Sequence, residues 1–505
     1  MLGERRLIIA SNRGPLTYHK DDQGNFVPER GSGGVVTALS ALSNYTPVSW
    51  VAAALSEADR ELAEAEDNNK RLELAPAPDP NLRVRFVNID EDSFDKYLNV
   101  ISNPLLWFVQ HEMEDLLDEE TMNRRKLGQA WRDGYVKANQ EFGRVVLQEA
   151  AKPEAAPFVI FHDYQLYLAP AMVRRARPDL TLMHFTHIPW PESQAWRKLP
   201  AEWVRSICAA LLDCDIVGLQ TIKDVKDFVQ TCQEFLEGVS AHETAEDSYQ
   251  LEYRPPNQPR RRSLARAYPI SIDPALVRET FQDQVTQKWR DRLAKFRPKG
   301  VQLIVRVDRL DPNKNILAGF EAYARLLEER PEFRESVNFL ALMVPTRESV
   351  PEYAAYKKRV FNLIRKLNRR YGAKAWRPVH YFYGNDYRRA LAALSLADVV
   401  LVNSLADGMN LVAKEATIVN DQNGMLVLSR QAGAWEELGE YALGVEAGNT
   451  EDTARKLAEA LTLPAAHRAE HATQLARTVE DNDLANWLAA QLWDLGQARK
   501  NLSLA

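Results

Sequence analysis

The sequence predicts an α/β protein made of two Rossmann-like domains that face each other across a cleft. Three observations lead there. Short apolar runs alternate with longer helix-period stretches along nearly all of the 505 residues, the pattern of parallel sheets wrapped by helices. The strand candidates outnumber what one sheet comfortably holds. A proline-marked junction, Tyr268-Pro269-Ile270-Ser271-Ile272-Asp273-Pro274, falls between two groups of them. The expected domains are residues 1–270 and 271–480, with a C-terminal helix near 481–500 packing back on the first.

In the first domain the strands expected are Leu7–Ala10, Val48–Val51, Arg83–Val87, Phe158–Phe161, Thr181–Phe185 and Ile216–Leu219. In the second they are Val301–Val305, Asn338–Met343, His380–Phe382, Val399–Val402 and Met425–Leu428. Helical periodicity fills the intervals, for instance over Tyr135–Ala151, Ile316–Arg330 and Glu352–Tyr371. Leu484, Trp487, Leu488, Leu492 and Leu495 recur at helical spacing, which gives the last helix an apolar face. The proline- and arginine-rich stretch Tyr253–Arg262 reads as a surface loop with a solvated arginine patch.

The totals exclude several classes. A net charge of −6 argues against a nucleic-acid binder. No apolar run approaches the roughly 18 residues that a membrane span needs, and the start, MLGERRLIIASNR, lacks a signal-peptide pattern. Cys208, Cys214 and Cys232 have no CxxC spacing and read as buried thiols in a reducing compartment. The expectation is a cytoplasmic protein without membrane or nucleic-acid partners, with monomer and homo-oligomer both open.

The most informative stretch is Asn403–Glu415, NSLADGMNLVAKE. A β-branched strand, the turn Asp407-Gly408 and a helix from Leu411 make a cradle whose backbone N–H groups and helix dipole suit an anion. Glu415, a turn inside, can accept two hydroxyl hydrogen bonds of the kind a ribose offers. An ordinary strand-to-helix turn is the alternative. Val305-Arg306-Val307-Asp308-Arg309-Leu310-Asp311-Pro312-Asn313-Lys314 opens the second domain. Arg309 and Lys314 lie just after a strand, where two cations can neutralise a leaving diphosphate. Arg347 in Pro345-Thr346-Arg347 follows another strand. In the first domain, Ser11-Asn12-Arg13-Gly14 and Gly31-Ser32-Gly33-Gly34 form a glycine-rich phosphate or sugar approach. His162-Asp163 and His187-Ile188-Pro189-Trp190-Pro191 each follow a strand, and the prolines fix the second as a loop. The spacing of His162, His184 and His187 matches no zinc motif, so no metal is expected.

Taken in order, SNR, GSGG, HDYQL, HIPWP, RVDRLD with its lysine, PTR, DGMNLVAKE, MLVLS and AGAWEELG resemble the trehalose-6-phosphate synthase family of retaining glycosyltransferases over about residues 7 to 450. The resemblance implies a GT-B type fold, no cofactor and no metal. It implies glucose transfer from a nucleotide-glucose, UDP-glucose foremost, to glucose 6-phosphate, giving α,α-trehalose 6-phosphate. It makes the first domain the acceptor-binding one and the second the nucleotide-sugar-binding one. By position, Gly33 and Gly34 lie against the donor, Arg309 and Lys314 hold its diphosphate, and Asp407 and His187 meet its sugar. These four charged or imidazole side chains, Arg309, Lys314, Asp407 and His187, are the catalytic set. Gly408, Met409, Asn410, Leu411, Val412, Ala413, Lys414 and Glu415 wrap the nucleotide, with backbone near Leu394 reading the base. Arg13, Trp50, Trp107, Asp163 and Arg347 form the acceptor pocket, the arginines gripping its phosphate.

The chain departs from the family pattern at Leu98, where a tyrosine is usual and Tyr97 is shifted by one. It departs again at Pro312–Asn315, Ser395 and Ser271. Relatives that use other phosphorylated acceptors, namely glucosylglycerol-phosphate synthases and cyclitol pseudo-glycosyltransferases, therefore stay open, as does a non-catalytic sugar-phosphate sensor. No phosphatase motif is visible; Asp90-Glu91-Asp92 reads as an acidic surface turn.

Overall fold

The computed structural model describes residues 6–31, 39, 41–44, 46–67, 79, 81–117, 123–151, 156–255, 259–348, 350–374 and 376–504. Its contacts divide the chain into Met1–Tyr268 with Leu488–Ala505, and Pro269–Trp487.

The first unit carries β1 (Leu7–Ser11), β2 (Leu16–Lys20), β3 (Phe26–Arg30), β4 (Val48–Ala53), β5 (Leu82–Val87), β6 (Phe158–His162), β7 (Thr181–Phe185), β8 (Ile216–Leu219), β9 (Val239–Ala245), β10 (Ser248–Tyr253) and β11 (Arg261–Ala267). Nine of these make one sheet in the order β5-β4-β1-β6-β7-β8-β11-β10-β9. The strands from β5 to β11 run parallel, and β1, β4, β6, β7 and β8 are buried along their whole length. That is why they read as unbroken apolar runs: helices cover both faces of such a sheet. The order reverses between β1 and β6, so the carboxyl ends of those strands flank the place where this architecture binds ligands.

Three features depart from the expected elements. The supposed loop at Tyr253–Arg262 holds the end of β10 and the start of β11, antiparallel partners in which Arg262 pairs with Glu252 at 3.0 Å and Arg261 reaches Asp213 at 2.9 Å. The arginines are ladder and ion-pair groups within the sheet. The helix expected from Tyr135 begins earlier, as a wide π-type turn over Trp131–Val136 that crosses a second one, Lys96–Leu106, at Gly134. The acidic stretch at Asp90 is a helix start: Asp90 accepts from Ser93 N at 3.0 Å and pairs with Lys137 at 2.7 Å.

The second unit carries β12 (Gln302–Arg309), β13 (Val337–Val344), β14 (Val379–Tyr383), β15 (Val399–Val402), β16 (Met425–Ser429) and β17 (Leu443–Val445). They form one parallel sheet in the order β14-β13-β12-β15-β16-β17, reversing between β12 and β15. Phe320, Tyr323, Phe339, Val360, Ile364 and Leu457 belong to its core. Among the described residues no helix is long and apolar enough to cross a membrane, and the three cysteines are buried free thiols.

Candidate functional site

At the reversal point of the second sheet the loop after β12 and the loop after β15 are tied together. Leu405 N donates to Asn313 O at 2.8 Å, Asn313 Nδ2 to Ala406 O at 3.3 Å, and Asn403 Nδ2 to Asn315 O at 3.3 Å. Below them Arg306, wholly buried, donates twice to Asp308 Oδ2 (2.7 and 3.0 Å) and once to Lys314 O at 2.9 Å. Burial raises the Asp308 carboxyl, and Arg306 opposes the rise. The guanidinium lies against Gly319, where an added Cβ would come within 2.4 Å of it, so a larger residue there would force the buried guanidinium to shift.

On this support Lys314 Nζ ion-pairs with Asp407. Asp407 also accepts from Ser404 Oγ at 3.1 Å and Asn410 Nδ2 at 2.9 Å. Asn410 has a left-handed backbone (φ 85°) and caps the helix Leu411–Val419 by accepting from Ala413 N at 3.1 Å. The turn that faces the helix start is therefore made by an asparagine whose side chain serves both the cap and Asp407. Left-handed residues recur at three more strand ends: Asn315 (φ 53°), Arg347 (φ 44°) and Asp163 (φ 72°). Such strain collects where side chains are held for function.

Glu415 lies in the same helix, partly buried. Burial pushes its carboxyl up to about 7, and a hydrogen bond from the Tyr387 phenol pulls the other way. Lys414 does not join it. Its side chain is wholly buried, donating to Ile270 O at 3.0 Å and pairing with Glu437 at 2.5 Å, so only its backbone is left for a nucleotide. Leu394 is likewise buried, and its carbonyl accepts from Asn420 Nδ2 at 2.9 Å. Leu411, Val412 and Ala413 supply the first turn of the helix, while Gly408 and Met409 are buried in the turn before it.

Arg309 stands exposed at the end of β12. Arg347, in this same unit, donates to Asp311 at 2.8 Å and to the Tyr353 hydroxyl at 2.5 Å.

In the first unit the end of β1 presents Arg13, exposed. Trp50 is wholly buried and donates through Nε1 to Ser11 Oγ at 2.7 Å, and Ser11 Oγ donates to Arg13 O at 2.6 Å. Trp50 thus holds the Arg13 loop through Ser11 and is itself wholly buried. Tyr97, also wholly buried, donates to Asn12 Oδ1 at 3.1 Å, whereas Leu98 keeps part of its side chain exposed. The shifted tyrosine braces the same loop. Trp107 is buried and stacks on His111 with centroids 4.1 Å apart.

Asp163, after β6, accepts through Oδ1 from His187 N at 3.2 Å, and its carbonyl lies 3.2 Å from His184 Nε2. His187 shares a hydrogen bond with His162 (Nε2 to Nδ1, 3.0 Å) and lies 3.4 Å from Gln220 Nε2. Burial drives all three imidazoles far below their usual value, His162 and His184 to about 3. His187 is therefore a neutral hydrogen-bonding group at neutral pH. Among the described residues no cluster of His, Cys, Asp or Glu is arranged to hold a metal ion. Gly33 and Gly34 lie outside the described residues.

The structure brings Lys314, Asp407 and Asn410 together, and separately Asp163 and His187. The sequence reading missed Tyr387, Asp311 and the Arg306–Asp308 pair. A lone tyrosine at a helix start carries no motif, and the alternating Arg306 and Asp308 look like any strand residues until the lysine loop folds over them.

The model of glycosyltransferase family 20 matches residues 5–497. Alpha,alpha-trehalose-phosphate synthase [UDP-forming] A of Dictyostelium discoideum is 30% identical over 98% of this chain and 63% of its own length. The corresponding protein of Schizosaccharomyces pombe is 30% identical over 97% of this chain and 89% of its own length. A probable synthase of Arabidopsis thaliana is 31% identical, and the chain spans only 54% of it. Two solved structures superpose closely. One, from E. coli, is bound with UDP-2-fluoro glucose, at a TM-score of 0.81 and 25% identity over 97% of this chain and 99% of that one. The other, an alpha,alpha-trehalose-phosphate synthase (UDP-forming) from Burkholderia xenovorans in complex with glucose-6-phosphate, gives 0.80 and 26% over 97% and 100%. The two-sheet α/β architecture is that of the GT-B type.

Proposed function

The chain belongs to glycosyltransferase family 20, and from that premise we propose that it transfers glucose, with retention at the anomeric carbon, from a nucleotide-glucose to glucose 6-phosphate. The products are α,α-trehalose 6-phosphate and a nucleoside diphosphate. UDP-glucose is the donor favoured by the relatives, which are UDP-forming, and the cytoplasm is the compartment that fits. The observation that carries the reading is the Lys314–Asp407 ion pair, held by both loops at the reversal point of the second sheet and followed in the chain by Glu415.

In this reading the second unit binds the donor. Asp407 accepts hydrogen bonds from the glucose, Glu415 from the ribose, and the start of the helix Leu411–Val419 faces the diphosphate. Lys314 and Arg309 stabilise the charge that grows on the leaving diphosphate. No carboxylate stands as a nucleophile in this scheme. The anomeric C–O bond to phosphate breaks, the acceptor hydroxyl oxygen bonds to the same face of the carbon, and its proton passes to the departing phosphate oxygen. The protein's part is positioning and charge stabilisation. In the first unit, neutral His187, held by Asp163, hydrogen-bonds to a sugar hydroxyl. Arg13 is this unit's cation assigned to the acceptor's phosphate, and Gly33 and Gly34 are assigned to the donor.

Leu98 and the Pro312–Asn315 loop favour a second reading, in which the acceptor is glycerol 3-phosphate or a cyclitol phosphate. The purified protein, given UDP-glucose and a panel of phosphorylated acceptors, separates the two. Diphosphate release is expected with glucose 6-phosphate. Release with glycerol 3-phosphate and none with glucose 6-phosphate would reject the first reading. Nucleotide binding without turnover of any acceptor would favour a sensor.

A further inference from the structure

A guanidinium with no exposed surface stands in β12, where Arg306 and Asp308 lie two residues apart on one face of the strand. Burying an ion pair of this kind is seldom a gain over apolar packing, so stability alone does not account for it. Its hydrogen bonds do. Arg306 Nε and Nη2 donate to Asp308 Oδ2 at 3.0 and 2.7 Å, and the same Nη2 reaches the Lys314 carbonyl at 2.9 Å. Two nitrogens of one planar group on a single carboxylate oxygen fix the plane of that group, and the fixed plane aims the remaining bond at the Lys314 backbone. The next carbonyl is held as well. Asn403, just after β15, donates through Nδ2 to Asn315 O at 3.3 Å, and Gly319 N donates to it at 3.2 Å. Asn315 is left-handed (φ 53°), so the chain turns sharply between the short helix Pro312–Lys314 and the helix Ile316–Glu329. Two side chains, one from β12 and one from the end of β15, therefore grip consecutive carbonyls at the turn that carries Lys314. A Cβ added at Gly319 would lie 3.2 Å from Asn403 Oδ1 as well as against Arg306, so the glycine leaves room for both groups. At its far end Lys314 ion-pairs with Asp407. An ammonium on a flexible four-carbon stem is placed only as well as the backbone beneath it is held.

We propose, resting on the donor reading given above, that Arg306 is a positioning residue of the donor site. It touches no substrate; it fixes the Lys314 backbone so that the ammonium stands where the leaving diphosphate gathers charge. Stabilisation of developing charge depends on groups placed in advance of the reaction, and a small displacement of such a group costs rate. Loss of the Arg306 bond to Lys314 O should therefore be felt in turnover, and only through Lys314.

The test uses the full chain with two alterations, Arg306→Lys and the pair Arg306→Met with Asp308→Asn, each made in the wild type and in Lys314→Ala. Arg306→Lys keeps the charge beside Asp308 but not the planar group, and the paired change leaves no lone buried charge. Turnover is measured with UDP-glucose and whichever phosphorylated acceptor the wild type uses, and urea unfolding shows that each protein is folded. Both alterations are expected to lower kcat about 10- to 100-fold and to leave KM for the acceptor within about twofold of wild type. In the Lys314→Ala background neither should lower kcat further, because the group they place is gone. A folded Arg306 variant with wild-type kcat, or an equal loss of kcat when Lys314 is already absent, would overturn the inference. A folded wild type that neither binds UDP nor releases it from UDP-glucose would instead reject the donor reading, and the role of Arg306 with it.

Discussion

Lys314 and Asp407 neutralise each other in the loops that follow two neighbouring strands. The pair is nearly buried, with side chains 10% and 13% exposed, so either charge alone would be costly to hold there. Asp407 keeps two neutral donors, Ser404 and Asn410, and these let it survive the loss of the lysine. Lys314→Ala is therefore expected to fold and to lose turnover roughly 10²–10³-fold, the cost of removing one stabiliser of developing charge. Steady-state rates at saturating substrates measure it; unchanged turnover would mean that the diphosphate is neutralised elsewhere. Each partner was legible in the sequence as a charge after a strand. Their meeting was not, because 93 residues separate them and only the reversal of strand order brings the two loops side by side. Lys414 shows the converse: it lies inside the most specific motif of the chain, and its side chain points into the core, since a motif does not say which face of a helix a residue takes.

The element with the most leverage on the Arg13 loop is the crossing of the two wide-turn helices at Gly134. A Cβ there would lie 2.5 Å from Lys96 Cβ and 2.7 Å from Tyr97 N, and Tyr97 is the residue that braces Asn12. Backbone cannot move aside as a flexible side chain can. Gly134→Ala is expected to cost about 1–3 kcal/mol and to raise the apparent KM for the sugar-phosphate acceptor while leaving UDP affinity at its wild-type value. Denaturant unfolding and acceptor titration check the two parts. These helices also mark the limit of what periodicity conveys. The eleven strands expected from apolar runs are all present, because burial on both faces writes itself into composition. The hairpin β2–β3 and the strands β9 and β10 were not legible, since polar residues alternate through them and β9 is mostly exposed. The wide turns were invisible because one extra residue per turn blurs a 3.6-residue pattern.

At the scale of the whole molecule the chain is two units with separate sheets, and their buried titratable groups pull stability in different directions with pH. The split was legible from strand count and the junction prolines. The return of the chain to the first unit from Leu488 rests on Asp494, which accepts from Tyr268 at 2.7 Å and Arg266 at 3.0 Å. In the first unit His162 and His184 titrate near 3 when folded and near 6.5 when free. The unfolded chain thus takes up protons first as pH falls, so their contribution is whole above pH 6.5 and is lost on the way to about 3. Glu415, in the second unit, titrates near 7 when folded against 4.5 when free. Its folded form keeps a proton that the unfolded chain releases, so it weakens the second unit as pH rises from 4.5 to 7. His380 in the same unit, lowered to about 4, acts in the opposite sense and offsets it. Each group is worth about 1.4 kcal/mol per pH unit inside its window. Two unfolding transitions are expected, the earlier one in acid belonging to the first unit. Between pH 6.5 and 5, His184→Gln should flatten the slope of the first transition by one histidine's share, and Glu415→Gln should make the second transition fall more steeply in acid. UDP at a hundredfold excess over its Kd should raise the second, by about 2.7 kcal/mol. Calorimetric unfolding of wild type and both variants at three pH values reads all of this, and a single transition that responds to both substitutions would refute the prediction of two.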